Sequence, residues 1–173
     1  MSTESDFGSD DIESAETADT TDAIELLTID HEEMKQLFAE YDLLVIDDAS
    51  DKERAELAVQ ICDALTAHTT AEEEIFYPAA RDAIDDSELV DEAIEEHASA
   101  MALITRIRTM DAADELYDAA VRLLQEAVEQ HVLEEEGELF PRVRKSSLDL
   151  QSLGEEIALR KEEVLAELLD GEG

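Results

Sequence analysis

Two distant segments of the chain repeat one pattern of side chains that commonly bind metal ions. Residues 67–78 read AHTTAEEEIFYP, and residues 130–141 read QHVLEEEGELFP. In each segment a His is followed by Glu four and five positions later, and by Pro ten positions later. The chain has only four His and two Pro, so both Pro and half of the His belong to this pattern. The repeat predicts a site that uses imidazole and carboxylate groups twice.

Helical spacing explains why these residues could act together. Residues i and i+4 lie on one face of a helix, so His68 with Glu72, and His131 with Glu135, can reach into one cavity. The remaining two His lie in segments that resemble each other, LTIDHEEMKQL and AIEEHASAMAL, and each is preceded by an acidic residue. These are His31 and His97. The chain therefore reads as two helical hairpins, each with one lone His and one His-x-x-x-Glu.

The apolar residues around these positions recur at steps of three and four, which is typical of helices in a bundle. Long helices are predicted at about 23–44, from Ser50 onward, at 87–110 and at 112–143, and Ser50 with Glu53 forms a capping-box sequence. The expected fold is all-α: an up-down-up-down four-helix bundle over 23–145 and an additional short C-terminal helix within 146–173. Residues 1–22 are expected to form a disordered acidic tail. The predicted inward stripes include Leu27, His31, Met34, Phe38 and Tyr41, and Ile61, Leu65, His68, Glu72, Ile75 and Ala79.

A shared cation accounts for the six polar side chains on these stripes. One His in a core is usually hydrogen-bonded to a neighbour, but four His and two Glu would each cost about 1–3 kcal/mol if buried without partners. Imidazole and carboxylate without thiolate suit iron, manganese or zinc. Six ligands in two similar halves, with carboxylates that can bridge, favour two metal ions. Coordination positions left open favour iron over redox-inert zinc.

Several other sites are excluded by the sequence. No His has Glu three residues earlier, so the E-x-x-H motif of ferritin-like di-iron bundles is absent. The chain also lacks H-E-x-x-H, a P-loop motif and G-x-G-x-x-G. Cys62 is the only Cys, which rules out an internal disulfide and a thiolate zinc cluster within one chain.

The formal net charge of −37 is the most unusual property of the composition. Such a surface repels nucleic acid and anionic membranes, so neither is expected as a partner. Acidic chains with few Lys resemble cytosolic proteins of salt-accumulating extreme halophiles. No run of 18 apolar residues and no signal-peptide pattern is present, and a cytoplasmic location is therefore expected.

Residues 24–143 resemble the hemerythrin-like, or HHE cation-binding, domain family. The segments DHEEMKQLF, AHTTAEEEIFYPAA, EEHASAM and HVLEEEGELFP follow the family pattern in order. The resemblance implies a four-helix bundle with a bridged non-haem di-iron centre, whose metal ligands would be His31, His68, Glu72, His97, His131 and Glu135. Oxygen-carrying hemerythrins have a further His one turn from the third-helix ligand, where this chain has Ala93 and Met101. The site therefore resembles the four-His, two-carboxylate variety linked to iron–sulfur repair or to the nitric-oxide and oxygen response.

Three functions remain open at this point. The first is a di-iron protein that binds oxygen or nitric oxide, or handles iron, in sensing, detoxification or iron-centre repair. The second is a di-iron enzyme that turns over peroxide, oxygen or nitric oxide. The third is a metal-free bundle with a structural or partner-binding role. Among the neighbouring residues, Glu96 is expected on the surface, with a supporting contact to a ligand His as the alternative. Tyr77 is expected in ordinary packing, with a hydrogen bond near the site as the alternative. Five acids are expected as solvated charge: Glu73, Glu74, Glu134, Glu136 and Glu138.

Overall fold

The computed structural model describes residues 21–172, and within that range the chain is helical with no strand. Two wide turns of π-helix interrupt the second and fourth long helices and divide each into two parts. The elements are α1 (Ala23–Ile46), α2 (Asp51–Ala71), the first π turn (Glu72–Phe76), α3 (Tyr77–Ala83), α4 (Ser87–Thr109), α5 (Tyr117–Glu134), the second π turn (Glu135–Leu139), α6 (Phe140–Arg144) and α7 (Leu150–Glu172).

Side-chain caps define where the first two helices begin. Asp22 caps α1, because its carboxylate accepts a hydrogen bond of 2.8 Å from the Glu25 N–H. Asp22 thus belongs to the ordered bundle, while the rest of the predicted acidic tail, apart from Thr21, lies outside the described residues. The predicted capping box at Ser50 is confirmed, since Ser50 and Glu53 each accept a hydrogen bond from the backbone N–H of the other.

The four long helical units form a bundle in which α1 contacts α2 and α5, and α4 contacts the same two helices. The all-α four-helix fold predicted from the sequence is confirmed. The fourth helix begins at Tyr117 rather than near 112, because Asp111 and Asp114 accept hydrogen bonds from backbone N–H groups two residues later. Such local bonds favour a turn over a helix. Among residues 21–172, every long helix carries too many polar and charged side chains to span a bilayer.

The π turns follow from the two Pro of the repeat. A Pro inside a helix lacks an N–H, and its ring clashes with the carbonyl four residues earlier. Here the Tyr77 N–H donates to the Glu72 carbonyl and the Phe140 N–H donates to the Glu135 carbonyl, each spanning five residues instead of four. A π turn of this kind inserts one extra residue and is frequent at functional sites.

The extra residue changes which side chains point inward after Glu72. An unbroken helix would bury Ile75 and Ala79, as the sequence stripe predicted. Both are only partly buried, whereas Phe76 and Tyr77 are at most 1% exposed. The prediction of a continuous stripe was wrong at this point, because the π turn shifts the helical register by one residue. The shift places Tyr77 inside the bundle.

The C-terminal helix α7 packs along α1 and α2. The predicted additional C-terminal helix is confirmed, and at 23 residues it is as long as α4. Leu153 and Ile157 are buried against the bundle. Gly154 lies so close to the start of α1 that an added Cβ would be 3.0 Å from the Ala23 nitrogen. Helix α7 is therefore an integral part of the described fold.

The apolar core consists of two clusters separated by a polar layer. One cluster surrounds Phe38, Ile61 and Ile104, and the other surrounds Leu27, Phe76 and Phe140. The four His lie between these clusters along their helices, since each is flanked by buried apolar residues of both. This layer contains the candidate site.

Candidate metal centre

The structure brings all six predicted ligands together. His31, His68, Glu72 and Glu135 form one group with converging ligand atoms, and His97 and His131 form a second group with the same two Glu. Within each group the ligand atoms lie within 4.8 Å of one another. None of the six residues is more than 8% exposed. Two sets of donors that share both carboxylates are the arrangement expected for a bridged pair of ions.

The Nε2 atoms of all four His face the centre. His68 Nε2 is 2.9 Å from Glu72 Oε1, and His97 Nε2 is 3.2 Å from the same oxygen. His31 Nε2 is 3.2 Å from Glu135 Oε1. His131 Nε2 is 3.3 Å from Glu135 Oε2. Each carboxylate is thus approached by one His from each hairpin, as bridging would require.

The Nδ1 atom of every His faces a further carboxylate on the opposite side of the ring. Because a hydrogen bond at Nδ1 fixes the tautomer, it leaves the Nε2 lone pair free to bind a metal. The same arrangement orients the imidazole and raises its basicity. The four pairs are His31 Nδ1 with Glu136 at 2.6 Å, His68 Nδ1 with Asp30 at 2.9 Å, His97 Nδ1 with Glu73 at 3.0 Å and His131 Nδ1 with Glu96 at 2.8 Å.

These contacts correct the expectation that Glu73 and Glu136 only carry solvated charge, and for Glu96 they support the alternative of a contact to a ligand His. The repeated spacing of acidic residues relative to the His already pointed to these contacts. In each hairpin the acid before the lone His contacts the other His of that hairpin: Asp30 contacts His68, and Glu96 contacts His131. The Glu five residues after this second His contacts the lone His of the other hairpin: Glu73 contacts His97, and Glu136 contacts His31. The signal was obscured because acidic residues are abundant throughout the chain. Of the other Glu in this set, Glu74 pairs with Arg160 at 2.6 Å, away from the ligands.

Tyr77 lies beside the predicted ligands, which supports a hydrogen bond near the site over ordinary packing. Its hydroxyl donates to Glu135 Oε2 at 2.5 Å and lies 3.1 Å from His97 Nε2 and 3.4 Å from His131 Nε2. The equivalent residue of the second segment is Phe140, whose ring stacks on His31 at a centroid distance of 5.8 Å. Only the half containing His97 and His131 therefore has a phenol beside it.

The electrostatics of the site favour positive charge. Burial would lower the pKa of His68, but Glu72 and Asp30 raise it to about 10. Burial would likewise lower the pKa of His131, but the surrounding carboxylates raise it to about 9. Burial would raise the pKa of Glu72, but His68 and His97 hold it well below its usual range. The buried carboxylates thus require either protons or metal ions nearby.

The hydrogen bonding of the inner atoms tests whether a metal fits. Both oxygens of Glu72, one oxygen of Glu135, and the Nε2 atoms of His31 and His68 are buried and have no hydrogen-bond partner among the described residues. Buried polar groups in folded proteins are nearly always hydrogen-bonded or bound to an ion. All of these unpartnered atoms belong to the predicted ligands. The donor set therefore fits metal ions.

A small cavity adjoins the centre on the side of the first apolar cluster. Its volume is about 20 Å³, enough for a molecule of roughly the size of water. His31, His68 and His131 line it together with apolar side chains such as Leu65 and Val128. This cavity can admit a very small ligand.

The sequence model of the hemerythrin HHE cation-binding domain matches residues 22–143. The chain belongs to this family. A crystal structure of a hemerythrin HHE cation-binding domain-containing protein from Mycobacterium kansasii has a similar fold, with a TM-score of 0.71 and 24% sequence identity. The alignment covers 86% of this chain and 90% of that one. This likeness extends the family fold beyond the segment matched by the family's sequence model.

A protein from Nostoc sp. described as a DNA nickase is 28% identical to this HHE-family chain over 123 residues. The match covers 70% of this chain but only 33% of the Nostoc protein's length. The chain thus spans a third of that curated relative.

Proposed function

We propose that this HHE-domain protein holds two iron ions bridged by Glu72 and Glu135 and binds a diatomic ligand such as oxygen or nitric oxide. The main support for two ions is that two groups of buried donors share the same two carboxylates. One ion would be held by His31 and His68, and the other by His97 and His131. Iron bound in this way supplies redox-active coordination positions for a small ligand.

The donor types support iron, with manganese and zinc as alternatives. Imidazole and carboxylate groups without thiolate suit all three metals. The only Cys is Cys62, which is 1% exposed and lies in the apolar cluster outside both donor groups. Each group offers four residues, so a six-coordinate metal such as iron would retain open positions.

The size of the cavity supports a diatomic ligand. A volume of about 20 Å³ beside three of the four His matches a very small molecule such as oxygen or nitric oxide. Its apolar walls, including Leu65 and Val128, favour an uncharged ligand over a hydrated ion. Sensing or detoxification would use this ligand-bound state, whereas iron handling or iron-centre repair would use the bound iron itself.

A second candidate is turnover of peroxide, oxygen or nitric oxide, and Tyr77 is the observation that favours it. Its hydroxyl holds a proton at a buried position, 2.5 Å from Glu135 Oε2 and 3.1 Å from His97 Nε2. A proton donor beside the centre is what reduction of peroxide or oxygen requires. Cleavage of DNA, as named for the Nostoc relative, is disfavoured because a net charge of −37 repels the phosphate backbone.

The direct test measures metal and ligand together. Protein purified in about 1 M salt is analysed for metals by plasma mass spectrometry, and the reduced protein is then titrated with nitric oxide or oxygen under spectroscopic observation. We expect about two irons per chain and a ligand spectrum that saturates in proportion to iron. Steady consumption of peroxide or nitric oxide would favour the enzyme. A folded protein that neither contains iron nor takes it up on reconstitution would overturn the proposal.

A further inference from the structure

The two halves of the centre are alike in sequence but differ in their surroundings. Of the four carboxylates that face His Nδ1 atoms, Asp30 is the one whose side chain is almost fully buried, at 7% exposed. The other three are more open, with side-chain exposures of 27% for Glu96, 36% for Glu136 and 40% for Glu73. Water can screen the negative charge of those three carboxylates, whereas the charge of Asp30 is largely shielded from water.

Asp30 is also the one of these four that the structure pairs with a cation from another helix. Lys161 donates from its ammonium group to Asp30 Oδ1, while Asp30 Oδ2 faces His68 Nδ1 at 2.9 Å. The result is a continuous chain of contacts from Lys161 through Asp30 and His68 to Glu72, where His68 Nε2 and Glu72 Oε1 are 2.9 Å apart. Lys161 is one of only four Lys in a strongly acidic protein.

This contact comes from outside the segment that defines the family. Lys161 lies on α7, whereas the family's sequence model ends at residue 143. Helix α7 is held firmly, with Ile157 fully buried and Gly154 in close contact with the start of α1. Its position brings the ammonium group to Asp30 at the edge of the centre.

We propose that Lys161 is a positioning residue that acts through Asp30 to weaken the donor strength of His68, making the two metal positions inequivalent. Lys161 binds one oxygen of Asp30, and its ammonium group thereby withdraws negative charge from the other oxygen. That other oxygen accepts the hydrogen bond from His68 Nδ1. A weaker acceptor at Nδ1 leaves Nε2 less basic, and so a weaker ligand. The difference between Tyr77 and Phe140 beside the two groups adds to this asymmetry. The inference rests on the proposed metal centre.

The test compares Lys161→Met with Lys161→Arg and Arg160→Met. Arg160 is a matched control because it is the preceding residue of α7 and pairs with Glu74 rather than with Asp30. Each protein is loaded with ⁵⁷Fe, its Mössbauer spectrum is recorded, and release of iron to a chelator is followed. The wild-type protein should give two distinct signals of equal intensity. In Lys161→Met we expect one of them to move and one of the two irons to leave about 10-fold more slowly. Lys161→Arg and Arg160→Met should behave as wild type.

A double-variant cycle tests the route through Asp30. Asp30→Asn should speed release of the same iron, and adding Lys161→Met to it should change nothing further. Persistence of the Lys161→Met effect in the Asp30→Asn background would overturn the proposed route. Equal loosening of both irons with a lower melting temperature would show that α7 is only a structural cover and would also overturn the inference. A wild-type protein that binds no iron would overturn the proposed function, and this inference with it.

Discussion

His31 and Glu136 are 105 residues apart in sequence, yet His31 Nδ1 and Glu136 Oε2 are 2.6 Å apart. His97 and Glu73 form the equivalent contact in the opposite direction, at 3.0 Å. Each hairpin therefore supplies the carboxylate that orients the lone His of the other hairpin. The centre is therefore assembled across the interface between the two hairpins, and each hairpin depends on the other for the orientation of one imidazole.

Of the six proposed ligands, the two Glu should matter more for metal content than any single His. Glu135 belongs to both donor groups, whereas His97 belongs to one. We therefore expect Glu135→Gln to lose both metals and His97→Ala to lose about one, measured as metal per chain by plasma mass spectrometry. Glu95→Gln is the control, because Glu95 is exposed and belongs to neither group. Retention of two metals in folded Glu135→Gln would contradict shared bridging.

Removing an orienting carboxylate should loosen only one half of the centre. Glu136→Ala leaves His31 Nδ1 without its partner, and loss of such partners typically costs about 10–100-fold in metal affinity. Competition with a chelator should show one weakened ion and one unchanged ion. Glu138→Ala is the matched control, since Glu138 is exposed and outside both groups. Equal effects of the two substitutions would mean that only general surface charge is involved.

The Tyr77 hydroxyl should stabilise the metal-free protein and alter the loaded centre. Tyr77→Phe keeps the buried ring but removes the donor to Glu135 Oε2. Leaving that oxygen unpaired should lower the free energy of unfolding of the metal-free form by about 1–3 kcal/mol in urea titrations. The absorption spectrum of the iron form should also change. Tyr41→Phe breaks a hydrogen bond to Asp118 outside the site, so its spectrum should match wild type.

The metal-free protein should lose stability as the pH rises above neutrality. The pKa of His131 is raised to about 9 and that of His68 to about 10, both above the ordinary value of 6.5. Stability from groups with raised pKa values is fully present below 6.5 and is lost as pH rises through about 9 and 10. Metal needs neutral imidazole, so binding should strengthen over the same range. Thermal melts of both forms from pH 6 to 10 would test this, and parallel curves would contradict it.

High salt should stabilise the fold. At about 0.1 M salt the Debye length is roughly 10 Å, and at about 1 M it is roughly 3 Å, so repulsion among the surface acids is then screened. With a net charge of −37, we expect the free energy of unfolding to rise between these conditions. The measurement is a urea titration at each concentration, with KCl and NaCl compared. A fall in stability with salt would contradict a surface adapted to high ionic strength.

Periodicity and spacing were sufficient to predict the four-helix fold and to select the six residues that converge, because both depend on one face of a regular helix. The position of Tyr77 could not be read in this way, since the π turn before Pro78 shifts the register by one residue. Lys161 and Asp30 are 131 residues apart, and nothing in local sequence indicates that α7 brings them together. The orienting role of Glu73 was masked by the abundance of acids around it.

The exchange of carboxylates between hairpins has a consequence for how such a centre could arise. Each hairpin carries the two imidazoles of one donor group and one of the two Glu that both groups share. It also carries one acid that contacts its own imidazole and one acid that contacts an imidazole of the other hairpin. A single hairpin of this type therefore contains every group that a two-fold symmetric pair of identical chains would need to form the same two donor groups. In this protein, one polypeptide holds both copies, so the copies can diverge: Tyr77 in one and Phe140 in the other are such a divergence.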